Sequence, residues 1–190
     1  MSPLLETFGF GSVRGWRVPS AGAVGAYELI ATAAGTGSSS TITFASIPAG
    51  YKHLQIRMTV GTTLTYEQGS SFGIRFNADS AANYAGHSMN GNGSSIGTGS
   101  NVSGNAIDVG YLSIPNNPIS ASIIDIVDAF STTKNKTVRV LTGYKWTSNL
   151  IALRSGHWRN TATVTSVSIV ELNASLWSTR SRFSLYGIKG

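Results

Sequence analysis

The chain of 190 residues contains no cysteine. That excludes a disulfide framework, a thiolate nucleophile and any cysteine-based metal site, and it argues against a small stapled secreted domain. Charge is scarce too, at 12% of residues. Ser and Thr make up roughly a quarter of the chain, so the polar surface is built from hydroxyls and amides. Soluble enzymes rarely have this composition, whereas shells, fibres and secreted β domains often do. No run of 18 apolar residues occurs, so no membrane-spanning helix and no membrane insertion are expected. The N-terminus lacks a basic region followed by an apolar one, and no Sec signal is expected. No G-x-S-x-G, P-loop or H-E-x-x-H motif occurs, and no enzymatic activity or cofactor is expected. No convincing amphipathic helix is present; residues 78–86 form a single turn at most.

What is present is strand after short strand. Tyr51–Val60 alternates most cleanly, with Leu54, Ile56, Met58 and Val60 on one side and His53, Gln55, Arg57 and Thr59 on the other. This is the period of a half-buried strand. Further strands are predicted over Ala26–Ala33, Ser39–Ser46, Phe72–Asn77, Ile119–Asp128, Thr137–Trp146, Leu150–Ser155, Thr163–Leu172 and Ser181–Lys189. Ile119–Asp128 is apolar on both faces, as in a central strand. In Thr163–Leu172 the apolar phase slips between Val167/Ile169 and Val170/Leu172, which predicts a bulge. Turn residues separate these runs, as in Pro48-Ala-Gly50 and Pro115-Asn-Asn-Pro118. Eight or nine short strands predict an all-β fold, an antiparallel, jelly-roll-like β-sandwich over residues 26–190.

Two segments break the pattern. Residues 1–25 hold five glycines and two prolines, with no strand period, yet carry Leu4, Leu5, Phe8, Phe10, Val13, Trp16 and Val18. An irregular backbone with large apolar anchors reads as a docking arm that orders on a partner or on its own oligomer. Arg14 and Arg17 flank Trp16, the residue type that dominates docked sites. The alternative is an arm folded back over its own domain. The second segment, Gly86–Gly110, is rich in Gly, Ser and Asn and reads as a long structureless loop. Its Asn90, Asn92, Asn101 and Asn105 offer paired donors and acceptors to a host surface. The alternative is a loop that merely tolerates insertion.

The net charge is +6, but Arg57, Arg75, Arg139, Arg154, Arg159 and Arg180 are dispersed, and no nucleic-acid binding is expected. His53, His87 and His157 have no spacing that predicts a metal site. His53 falls on the polar face of a strand and His157 in a Gly-His-Trp turn. Asp125 and Asp128 face opposite sides of a strand. Asp79 beside Asn77 and Asn83 predicts an Asx turn rather than a calcium loop. Trp146, Trp158, Trp177, Tyr66 and Tyr84 are the rings available to stack on sugars; the favoured alternative is that they fill the core or an oligomer interface.

Several motifs occur together in order: Tyr51-Lys-His-Leu-Gln-Ile-Arg57, Phe76-Asn-Ala-Asp79 with Asn83-Tyr84, Ile124-Asp-Ile126 before Thr133-Lys-Asn-Lys-Thr137, Ser155-Gly-His-Trp-Arg-Asn-Thr161, and Phe183-Ser-Leu-Tyr-Gly-Ile-Lys-Gly190. Over residues 27–190 this set resembles a family of tailed-phage virion and tail-fibre proteins. Phe10-Gly-Ser-Val-Arg-Gly-Trp16 is similar to leaders found ahead of phage tail and fibre domains. The resemblance implies a β-sandwich on the particle surface, assembled in the host cytoplasm and anchored by the arm to tail, baseplate or capsid proteins. A fibre or adhesion module, trimeric and touching a host glycan, is the leading expectation. A capsid decoration protein is the alternative, and a carbohydrate-binding module or glycan-acting enzyme a further one. The family brings no catalytic, cofactor or metal residues.

Overall fold

The alternation in Tyr51–Val60 becomes a strand that buries Leu54, Ile56, Met58 and Val60 and turns Arg57 and Thr59 to solvent. In a computed structural model, which describes residues 25–63, 70–112, 119–145, 149–173 and 175–190, it is one of twelve strands. In chain order these are β1 (Tyr27–Ala34), β2 (Thr41–Phe44), β3 (His53–Val60), β4 (Ser71–Phe76), β5 (Tyr84–Gly91), β6 (Ile96–Gly104), β7 (Ile107–Tyr111), β8 (Ser120–Val127), β9 (Lys136–Lys145), β10 (Asn149–Trp158), β11 (Val167–Glu171) and β12 (Arg182–Ile188).

The strands form two antiparallel sheets packed as a sandwich, as the sequence predicts. The large sheet has the order β1-β12-β3-β8-β9-β10-β5-β6 and the small sheet β2-β11-β4-β7. Four nested pairs, β1 with β12, β2 with β11, β3 with β8 and β4 with β7, alternate between the sheets. That is the scheme of an eight-stranded jelly roll. Two hairpins are added to it: β9–β10 leaves after β8, β5–β6 leaves after β4, and both extend the large sheet past β8.

The core lies between the sheets. Ile56, Ile124, Val138 and Leu185 of the large sheet face Phe72, Ile74, Phe76 and Ile169 of the small one. Trp158 and Trp177 are fully buried in it. Phe76, Tyr84 and Trp158 cluster at one end, with Tyr84 and Trp158 stacked at 6.4 Å. Phe72, Trp177 and Phe183 make edge-to-face contacts elsewhere in it. A glycine lets the layers close. A side chain at Gly156 of β10 would collide with Ile107 of β7, so only glycine admits β7 this near the large sheet.

Asp79 locks the Tyr84 end. Its carboxylate accepts hydrogen bonds from Trp158 Nε1 at 2.7 Å, Asn83 Nδ2 at 2.9 Å and the Ala81 N–H at 2.9 Å. The last is the Asx turn expected from sequence. The Asn83 and Trp158 bonds hold the Asp79 carboxyl below its ordinary range. Tyr84 Oη donates to the Asp79 carbonyl and accepts from the Phe76 N–H, and burial pushes its pKa up to about 12.

Four expectations are corrected. Gly86–Gly110 is not a structureless loop: it completes β5 and holds β6 and most of β7. β6 carries no strand period because it is exposed along nearly its whole length. With neither face in the core, no apolar period is required, and the backbone ladder to β5 sets the conformation. Among the described residues the strand count rises from eight or nine to twelve, because β5, β6 and β7 overlap this segment. The Ser155-Gly-His-Trp158 segment, read as a turn around His157, continues β10 and pairs with both β9 and β5. The bulge expected in Thr163–Leu172 is absent from β11, whose register with β2 and β4 is continuous. The apolar phase slips there because Val170 is buried on the face opposite Val167 and Ile169. Register shifts occur instead at Leu29/Ala31, Phe72/Gly73 and Tyr84/Gly86.

Candidate functional site

β8 is a central strand, as its sequence predicts, but among the described residues only its inner face is covered. On the outer face Ile123 remains 43% exposed. Register shows why this matters. Ile123 pairs with Leu141 of β9, Leu141 with Leu153 of β10, and Leu153 with Met89 of β5. The row is apolar across four adjacent strands, about 14 Å at the usual strand spacing. Ala121, Gly143 and Ile151 form the next row. Leu141, Leu153, Met89 and Ile151 are each 44–57% exposed. Two shallow, mainly apolar grooves of about 590 Å³ each flank the Ile123–Leu141 pair.

Polar groups frame this patch. Gln55, Asp125, Arg139, Ser155 and His87 make the row on one side. Gln55 Nε2 donates to Asp125 Oδ1 at 2.8 Å, and Arg57 Nε to Gln55 Oε1 at 2.7 Å. Arg57 lies over the rings of Tyr27 and Tyr186, at 5.5 and 5.0 Å. A contiguous apolar patch with a fixed polar border marks an interaction surface in soluble proteins.

A second feature lies on the opposite face of the added strands. β5 and β6 overhang β7, the edge strand of the small sheet, and a cleft of about 230 Å³ opens beneath them. Arg154 of β10 rises into it where neighbouring inward positions carry core residues. Its side chain is 4% exposed, and Nη1 pairs with Asp108 Oδ2 of β7 at 2.5 Å. Arg154 Nε is buried without a partner. The guanidinium sits 5.0 Å from the centre of the Tyr111 ring, which itself contacts Tyr144. Asp108 Oδ1 accepts the Gly110 N–H. Burial raises the Asp108 pKa, opposed by the charge of Arg154.

The residues singled out from sequence do not converge on one site. Leu4, Leu5, Phe8, Phe10, Arg14, Trp16 and Arg17 of the arm lie outside the described residues, as do Tyr66 and Trp146. Asn90 is on β5, and its Oδ1 is buried without a partner. Asn92 closes the β5–β6 turn, accepting the N–H groups of Ser94 and Ser95. Asn101, on β6, accepts the Ser103 N–H and borders the cleft. Asn105 gives its carbonyl to Arg75 Nε. Trp158, Trp177 and Tyr84 belong to the core. His53 Nδ1 accepts the Asp128 N–H, while His87 and His157 stand on β5 and β10. Among the described residues no group of three or more His, Asp and Glu is placed to hold a metal ion. Arg159 binds the carbonyls of Val102 and Ala82.

The sequence carries one signal that could have pointed to the apolar face: Leu141 is a large aliphatic side chain in the same phase as Arg139 and Lys145. Asp108 and Arg154 gave no such signal, being far apart in the chain. Compared with protein-family models, curated proteins and solved structures, the chain matches none.

Proposed function

We propose that the chain is a structural module of a tailed-phage particle, a tail-associated fibre or adhesion module that assembles through its large sheet. The observation that carries this reading is the row Ile123, Leu141, Leu153 and Met89, an apolar stripe left open on a rigid sheet. The jelly-roll order supports it as well, since viral shells use that architecture, though lectins and cupins also do. The motif resemblance over residues 27–190 supplies the phage context. In this proposal the stripe packs against another subunit, in a trimer or against a neighbouring virion protein, and residues 1–25 tether the module.

Combining Leu141→Lys with Leu153→Glu tests the interface without placing like charges opposite each other across β9 and β10. Both side chains already face solvent, so the thermal midpoint should stay within a few degrees. Self-association, read by light scattering after size exclusion, and incorporation into particles should be lost. Wild-type chain that stays monomeric and unincorporated, or a variant that associates normally, overturns the interface. Labelled electron microscopy of particles separates tail from head: a few copies on the tail fit a fibre, hundreds on the shell fit a decoration protein, and no copies overturn the virion reading.

A further inference from the structure

We infer that the cleft under the β5–β6 hairpin is a binding site for a neutral pyranose ring, held by Asp108, Arg154 and Asn101 against Tyr111. The inference does not rest on the virion reading, because a sugar site is meaningful in any context.

The argument starts from an oddity of burial. Arg154 is 6% exposed at an inward position of β10, paired with Val140 of β9 and Ser88 of β5. An ion pair at such a place is poor value for stability, because desolvation consumes most of the attraction. Here it is also incompletely satisfied, since Arg154 Nε has no partner. A buried, partly unpaired charge facing a cleft marks a site.

The chemistry of the walls selects the ligand. Carboxylate and guanidinium cancel, so the cleft favours neither a cation nor an anion. It offers an acceptor, a donor and the mixed amide of Asn101 within one small space. Vicinal hydroxyls, each able to donate and accept, complement such a set. Tyr111 also lines the cleft; Arg154 covers one face of its ring and Tyr144 contacts it, so the ring meets a sugar with its remaining face or edge. The opposite wall is nearly bare: Gly99 pairs with Ser88, and a side chain built on Gly99 would first meet Ser88 Oγ. A volume of about 230 Å³ falls short of the ~300 Å³ at which pockets for drug-sized ligands begin, and suits a single ring.

Ligand-observed saturation-transfer NMR on the full chain tests this with methyl pyranosides of glucose, galactose, mannose, rhamnose and N-acetylglucosamine. A second arm uses immobilised oligosaccharides ending in the same residues, which separates a free sugar from the tip of a surface glycan. At least one probe should bind. Asp108→Asn should weaken it about tenfold, the worth of a hydrogen bond to a charged group. Gly99→Leu fills the cleft from an exposed edge strand without touching the ion pair, and should abolish binding while the circular dichroism spectrum is kept. Should Asp108→Asn fail to fold, Gly99→Leu decides alone, with Ser88→Leu filling the same cleft from β5. Absence of binding in both arms overturns the site. So does binding that survives a folded cleft-filled variant.

Discussion

The rolled strands and the hairpin β5–β6 are kept in place by different means. β3 buries four aliphatic side chains and is sandwiched between β12 and β8. β6 buries none of its side chains and is held by its ladder to β5, with one further bond from Arg159 to the Val102 carbonyl. Between these extremes, β10 buries Ala152, Arg154, Gly156 and Trp158 on one face and leaves Ile151 and Leu153 open on the other. Stability therefore concentrates in the roll and on the inward faces of β9, β10 and the start of β5, while both candidate interaction surfaces lie mainly on other parts of the added strands. A fold divided in this way can vary β6 and the outward side chains of its added strands without endangering its core.

The largest effect comes from removing a heavy ring of the core where the added strand β10 enters it. Trp158→Ala removes a fully buried side chain stacked on Tyr84 and close to Phe76, and leaves Asp79 without its indole donor. The expected cost is about 3–5 kcal/mol, read as a lowered midpoint in urea with unchanged slope. A loss near zero would mean that this end of the core is not packed as described.

The same end should fail at high pH. Tyr84 is neutral in the folded chain with a pKa pushed up to about 12, against about 10 when unfolded. Its contribution is complete below pH 10 and is lost as pH rises towards 12, because only the unfolded chain ionises readily in that interval. Tyr84→Phe should flatten the fall in stability between pH 10 and 12 while losing the two Oη hydrogen bonds. An unchanged slope would assign alkaline unfolding to other groups.

A smaller effect is expected where the added strands leave the roll. Lys136 is fully buried at the start of β9, and its ammonium donates to the carbonyls of Ser131, Lys134 and Thr161. Lys136→Met keeps the stem but orphans three acceptors, and should cost about 2 kcal/mol. Equal stability of the variant would show that water satisfies those carbonyls.

This division also governs what the sequence reveals. The alternation of β3 was readable because every second side chain enters the core, and the Asx turn at Asp79 because its partners are local. Sandwich and strand content follow from such signals. β6 was unreadable, since Gly97, Thr98, Gly99 and Ser100 need satisfy no burial period. The outer stripe was half legible: Ile123 and Leu141 stood out of phase, but only the register joins them to Leu153 and Met89. The cleft was not legible, because Asp108 and Arg154 meet only where one sheet outgrows the other. Asn101 was singled out for its chemistry and does border the cleft, whereas Asn92 is occupied in closing its own turn.

The smallest effect should come from side chains of β6. Ile96 and Val102 are 75% and 71% exposed, so changing both to Thr removes little buried area. The expected change is within about ±0.5 kcal/mol. Native-state hydrogen exchange sharpens the contrast. Amides of β9, flanked on both sides and backed by Val138 and Val140, should exchange only on global unfolding. Those of β6 should exchange first, through local opening at the sheet edge, with β5 between them. Equal protection of β6 and β9 would mean that more than the β5 ladder and the Arg159 bond holds the edge, and the contrast between core-facing strands and the β5–β6 hairpin would not hold.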